Sequence, residues 1–368
     1  STRGLKRCQK ERIFLRKLKM SSLSNEELLR YARQIVLPEF GKKGQEKIKK
    51  AKILVIGLGG LGTYSSLLLA EIGVGYLRVV DRDLVEKTNL HRTPLYSESD
   101  LDRAKVEVAA DRLKQLNPSI TIDTHATHLG KNNIYSLLDG IDLVIDALDN
   151  FETRRIVNEA CIRKGIPILF CGVSAHSGNI SVFNLKKSSP CLSCLYHNID
   201  DDELDSCDIT GIHPALLPVV TGIQIHEAIQ IILKKDSSLD GILLFIDLNN
   251  MSFDKIPIYK NESCSICSKP VKQIVTSFSD DYRSLKICGN NNYMLVPNQT
   301  VDLNMAKIKQ QLETHYEIIK MGTHSITLLL PPNDFLTIFK GGNVLIRGIE
   351  TIEKAMGIWD EIRTKYIA

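Results

Sequence analysis

Long apolar runs are missing from this 368-residue chain. None reaches the roughly 18 residues that a membrane-crossing helix needs, so no membrane association is expected. No secretory leader is visible in the sequence, and none is expected. The N-terminus is basic but lacks a continuous apolar core, and the expectation is a cytoplasmic protein. No internal repeat or low-complexity segment stands out, which excludes a solenoid or propeller. One-sided charge is absent from the body. The formal net charge is +4, but residues 1–19 carry eight Lys or Arg against one Glu, which leaves the remainder near −3. Charge therefore gives no footprint for nucleic acid. Residues 1–20 are read as a basic, disordered leader, with Met20 as a candidate true start.

What is present suits a globular enzyme. Hydrophobic residues at 43% suffice for a sizeable core, and the length suits one large domain plus a small one. LSNEELLRYARQI (23–35) opens with a capping signature and predicts a helix. AKILVIG (51–57), YLRVVD (76–81), SITIDTHA (119–126), LVIDALDN (143–150) and IPILFCGV (166–173) read as strands, with helices over 61–73, 104–116 and 153–165 between them. That alternation predicts a doubly wound, mostly parallel sheet. After Gly172 the pattern turns antiparallel, over 179–185 and 241–258, around an apolar helix at 221–235. From residue 276 a β-α-β-β-β-α series predicts a small α+β domain, with its first helix spanning 303–320. The expected domains are thus 1–20, 21–275 and 276–368.

ILVIGLGGLG (53–62) places Gly57, Gly59 and Gly62 in a GxGxxG turn, with Gly60 beside them. Such a turn brings backbone N–H groups of a helix N-terminus up to a phosphate. Asp81, 19 residues past Gly62, can accept from both ribose hydroxyls. At this point NAD and ATP fit equally well. Downstream, Asn89, Arg92 and Lys105 follow the second strand and Asp149 ends the fourth. Ligands of doubly wound sheets bind beyond the strand C-termini, where these groups can converge. Two cations and a carboxylate suit nucleotidyl transfer with Mg²⁺; hydride transfer needs neither.

Cys191 and Cys194 (CLSC) and Cys264 and Cys267 (CSIC) form two CxxC pairs 69 residues apart. Four thiolates suit a closed, structural Zn²⁺ site. Cys207 stands alone in NIDDDELDSCDITGIHPA, whose acidic residues do not favour a reactive thiolate. Cys161, Cys171 and Cys288 read as core.

In order, RYARQ, GLGGLG, VVDRDLVEKTNLHR, AKVE, LDN, CLSC, Cys207, GIQIHEAIQII and CSIC resemble the MoeB/ThiF superfamily, whose members adenylate ubiquitin-like proteins. The resemblance covers residues 23–268. It implies a nucleotide site of Gly57, Gly59, Gly60, Gly62, Asp81, Thr88, Asn89, Arg92, Lys105, Asp149 and Asn150, with Asp149 taking Mg²⁺. It implies that Arg33 reaches the site of a second copy, so that the protein is a homodimer. It places Cys207 in a crossover loop, where many relatives form a thioester or capture a persulfide-derived intermediate. LDRA before Lys105, and Ala147–Leu148, depart from the usual pattern without removing a charged group.

The function expected is ATP-dependent adenylation of the C-terminal glycine of a β-grasp modifier ending in Gly-Gly. Thioester formation on Cys207 and transfer to a conjugating enzyme would follow. The alternative is activation of a sulfur carrier for thiocarboxylate formation. An NAD-dependent oxidoreductase and a non-catalytic scaffold are more distant readings. The C-terminal domain lacks a CxxxxxR loop, unlike a rhodanese domain, and its size suggests ubiquitin-fold-like partner docking.

Overall fold

The computed structural model describes residues 23–196, 210–268, 282–286, 291–299 and 301–367. The leader, Cys207 and Cys288 lie outside them. Eight strands form the larger sheet: β1 Lys52–Ile56, β2 Tyr76–Asp81, β3 Thr121–Ala126, β4 Leu143–Asp146, β5 Ile168–Ser174, β6 Ser177–Phe183, β7 Ile242–Asp247 and β8 Ser252–Pro257. Their order is β3-β2-β1-β4-β5-β6-β7-β8. β1 to β5 pair in parallel, and β6 to β8 extend the sheet antiparallel. The doubly wound sheet with a mixed extension is the one expected.

β1 shows why the sheet is covered on both faces. Successive side chains of a strand point to opposite sides. Ile53 and Val55 join a core with Leu69 and Leu217, from the helices Gly60–Ile72 and Leu216–Lys234. Leu54 and Ile56 join the opposite core with Val157 and Cys161, from the helix Phe151–Lys164. A strand buried on both faces has to read as a continuous apolar run, as KILVI nearly does. Leu216–Lys234 is long and apolar enough to cross a membrane, unlike anything expected from sequence. Here it packs against the helix Gly60–Ile72 and strands β5 and β6, with Val220, Gln224 and Glu227 buried.

The N-terminal helix is capped as expected: Ser24 and Glu27 form a reciprocal capping box. It breaks at Tyr31 into Asn25–Arg30 and Ala32–Ile35. Three further helices, Gly41–Lys50, Ile134–Leu137 and Leu192–Leu195, add to the expected set.

The remaining strands, β9 Tyr282–Lys286, β10 Asn292–Pro297, β11 Glu317–Met321, β12 Ser325–Leu330, β13 Asp334–Phe339 and β14 Val344–Arg347, make a second sheet. Its order is β11-β12-β13-β14-β10-β9, antiparallel throughout. The expected helix 303–320 is instead the helix Met305–Leu312 followed by β11. One face of this sheet carries its own core around Trp359, Leu336 and Ile346, under the helices Met305–Leu312 and Ile352–Tyr366. On the other face Met294, Val296, Phe339 and Leu345 enter the core of the larger sheet. Apolar burial on this face packs the second sheet directly against the larger one.

Candidate active site

The glycine turn leaves β1 and enters the helix Gly60–Ile72. Gly57 has φ +89, a left-handed conformation that a side chain strains. Gly62 is needed for another reason: a Cβ there would lie 1.8 Å from the Gly57 carbonyl oxygen. The helix start thus sits hard against the strand end, and Gly57, Gly59 and Gly60 line a pocket of about 250 Å³.

Asp81, Asn89, Arg92, Lys105, Asp149 and Asn150 line the same pocket. They come from four chain segments, brought together because β2, β1 and β4 are neighbours and all end on this side. Asp81 accepts from the backbone N–H groups of Leu58 at 2.6 Å and Asp83 at 2.7 Å. Desolvation pushes its carboxyl up, against the pull of Lys105. Lys105 is buried and donates to Asp83 at 3.0 Å. Burial opposes its charge, but Asp83 and Asp81 outweigh that and hold it firmly protonated. A buried ammonium beside a helix N-terminus suits a bound polyphosphate. Arg92 donates to the Thr88 carbonyl. Asp149 is exposed, and Asn150 donates to it at 3.1 Å while capping the helix Phe151–Lys164.

Three expected site residues do not line the pocket. Thr88 is exposed and donates to Glu86 at 3.4 Å. Gly62 serves the strand–helix contact, not ligand clearance. Arg33 is exposed, away from the pocket, among the exposed apolar side chains Leu29, Val36 and Leu37.

Sequence reading missed a buried pair behind the pocket. Arg154 lies 3.2 Å from Asp146, with both side chains less than a tenth exposed. It also donates to the Leu148 carbonyl and, at 2.7 Å, to that of Cys171, and its guanidinium stacks on Phe170. It thereby ties β4, β5 and the loop that carries Asp149. Asp146 at the end of β4, with an arginine two turns later, was the available signal. His128 was also missed. It faces two guanidiniums, with Arg82 Nη1 3.0 Å from Nδ1 and Arg283 Nη2 2.7 Å from Nε2. Burial and these two cations push its pKa down to about 3.

The four paired cysteines converge as expected, their sulfurs all within 4.8 Å of one another. The Cys191–Cys194 and Cys191–Cys264 Sγ separations are 3.8 Å, and Cys194–Cys267 is 3.5 Å. These are too long for disulfides, which bond at about 2.05 Å. A tetrahedron with metal–sulfur bonds of about 2.3 Å has edges of about 3.8 Å, so the set fits Zn²⁺. Cys161 and Cys171 are core thiols whose pKa burial pushes up, as expected.

The model of the ThiF family matches residues 31–266. The chain belongs to the ThiF family. A relative named adenylyltransferase and sulfurtransferase MOCS3, from Culex quinquefasciatus, is 41% identical over 251 residues, 68% of this chain and 57% of the relative. The chain thus spans little more than half of that protein. A sulfur carrier protein adenylyltransferase from Thermus thermophilus is 36% identical over 249 residues, 66% of this chain and 92% of the relative. Among solved structures, E. coli MccB aligns with a TM-score of 0.59 at 22% identity, covering 72% of this chain and 80% of MccB, and shares the fold.

Proposed function

We propose that this ThiF family protein uses ATP and Mg²⁺ to adenylate the C-terminal carboxylate of a small sulfur-carrier protein of β-grasp fold. The observation that carries the reading is the meeting of Arg92, Lys105 and Asp149 with the start of the helix Gly60–Ile72 in one pocket. Asp81 would hold the ribose hydroxyls. Gly59, Gly60, Asn89, Arg92 and Lys105 would surround the phosphates, and Arg33 of a second copy would reach in from its exposed surface. The carrier carboxylate attacks the α-phosphate, an oxygen–phosphorus bond forms, and pyrophosphate leaves with the electron pair of the broken bond. The cations offset the charge that builds on the leaving group. Asp149 is the residue that would hold Mg²⁺, and the ion would supply Lewis-acid stabilisation.

The named relatives move the reading from conjugation to sulfur-carrier activation, the second of the two expectations. The outer sulfur of a persulfide would then displace AMP from the adenylated carboxyl to give an acyl disulfide, and a second thiol would attack its S–S bond, releasing the thiocarboxylate and leaving a disulfide. Cys207 is the candidate thiol for that step. A Zn²⁺ held by Cys191, Cys194, Cys264 and Cys267 has no open position and would serve the fold alone.

Mass spectrometry of a sulfur carrier incubated with the protein, ATP, Mg²⁺, a persulfide donor and a thiol reductant tests this. A carrier adenylate without the donor and a thiocarboxylate with it are expected. A stable thioester to Cys207 that passes to a conjugating enzyme would favour the first expectation instead.

A further inference from the structure

The second sheet is built against the walls of the nucleotide pocket. Its polar contacts fall on three segments that border that pocket. Arg347 meets Asp102 at 3.0 Å, and Thr323 binds Glu107, on either side of Lys105. His324 meets Thr124 at 2.8 Å, on the strand that leads to His128. Arg283 touches two segments at once. Its Nη2 lies 2.7 Å from His128, which lines the pocket after β3, and its Nη1 lies 3.5 Å from Glu152, three residues after Asp149. His128 lines the pocket itself, whereas Glu152 stands just outside it, between Asn150 and Thr153, which line the opposite wall; the two are joined by a residue from outside the family-matched segment.

We propose that Arg283 is a positioning residue for the nucleotide: through Glu152 it ties the His128 wall to the first turn of the helix Phe151–Lys164, whose N-cap Asn150 and Thr153 line the opposite wall, and so holds the pocket at the width that ATP requires. The inference rests on the nucleotide-site reading above. A fork of five donors can serve both partners at once, and a lysine cannot reproduce the span. Neutral imidazole has a single acceptor nitrogen, and Arg82 and Arg283 face its two ring nitrogens. Glu152 supplies the counter-charge on the far side. The apolar contacts of Met294, Val296, Phe339 and Leu345 keep β9 and its neighbours seated, so the tie does not depend on a mobile arm.

Calorimetric titration of the full chain with ATP and Mg²⁺ tests this, beside melting temperature and the KM and kcat of pyrophosphate exchange. Arg283→Ala should weaken ATP binding about fivefold, the loss of one charge-assisted contact, and raise KM alike. The kcat should stay within about twofold and the melting temperature unchanged, because apolar packing seats the sheet. Glu152→Gln, a change at an exposed carboxylate, should weaken binding about twofold, and Arg283→Lys should fall between wild type and Arg283→Ala. Wild-type affinity in both Arg283→Ala and Glu152→Gln overturns the inference alone. So does a drop in melting temperature and kcat that matches the loss of binding, which marks a general structural role. If the wild type binds no ATP, the site reading fails and the inference goes with it.

Discussion

Thr323 donates both its backbone N–H and its hydroxyl to one oxygen of Glu107, at 2.7 and 2.6 Å. Glu107 is buried, two residues after Lys105, and Thr323 sits in the turn between β11 and β12. One carboxylate therefore links the helix that carries Lys105 to the second sheet. Glu107→Ala leaves two donors without their acceptor and should cost about 1–3 kcal/mol of stability, read by denaturant unfolding. Glu107→Gln keeps an acceptor oxygen and should cost less than half as much. Equal midpoints for all three proteins would contradict this account of the contact.

The glycines of the turn divide into two kinds. A Cβ at Gly62 would strike the Gly57 carbonyl at 1.8 Å, whereas one at Gly59 meets nothing within 4 Å. Gly62→Ala should therefore destabilise the fold by about 3 kcal/mol or more, with backbone unable to give way. Gly59→Ala should leave the melting temperature unchanged and weaken ATP binding, because its Cβ would enter the space a phosphate needs. Thermal unfolding and calorimetry on the pair separate the two roles.

His128 sets a pH dependence. Burial, Arg82 and Arg283 depress its pKa to about 3, with Asp83 pulling the other way. The unfolded chain holds a histidine near 6.5, so between about pH 3 and 6.5 the unfolded state binds the extra proton. The stability that depends on neutral His128 is therefore complete above 6.5 and lost as pH falls. Wild type should lose up to about 1.4 kcal/mol per pH unit more than His128→Gln between pH 6 and 4.5. Parallel slopes would show that His128 titrates freely in the folded protein.

The four-cysteine cluster should hold about one zinc per chain by elemental analysis. Cys264→Ser, at a buried position, should lose the metal and lower the melting temperature, and a chelator should do the same to wild type. Full stability without metal would mean that the thiols are simply packed.

The sheet was legible because β1, β2, β4 and β5 are largely apolar strands separated by glycines and helices, while the polar edge strand TIDTHA of β3 was set off by the helix before it. The helix Gly41–Lys50 was not, since GKKGQEKIKK presents little apolar stripe beyond Ile48. β11 was absorbed into a helix because EIIKM follows MAKIKQQL without a glycine or proline to mark the break. In the site, Asp81, Arg92, Lys105 and Asp149 announced themselves through motif and strand-end position. Arg154 looked like one more helix charge until burial paired it with Asp146. Arg283 lies 155 residues from His128, and no local pattern encodes a contact that only the joining of two sheets creates.

The most direct measurement is ATP–pyrophosphate exchange with Mg²⁺, with and without a sulfur-carrier β-grasp protein ending in Gly-Gly. Exchange that appears only with the carrier, and is lost in Lys105→Ala, is the predicted result. ATP binding without exchange in the presence of every such carrier would contradict adenylation and leave a nucleotide-binding scaffold.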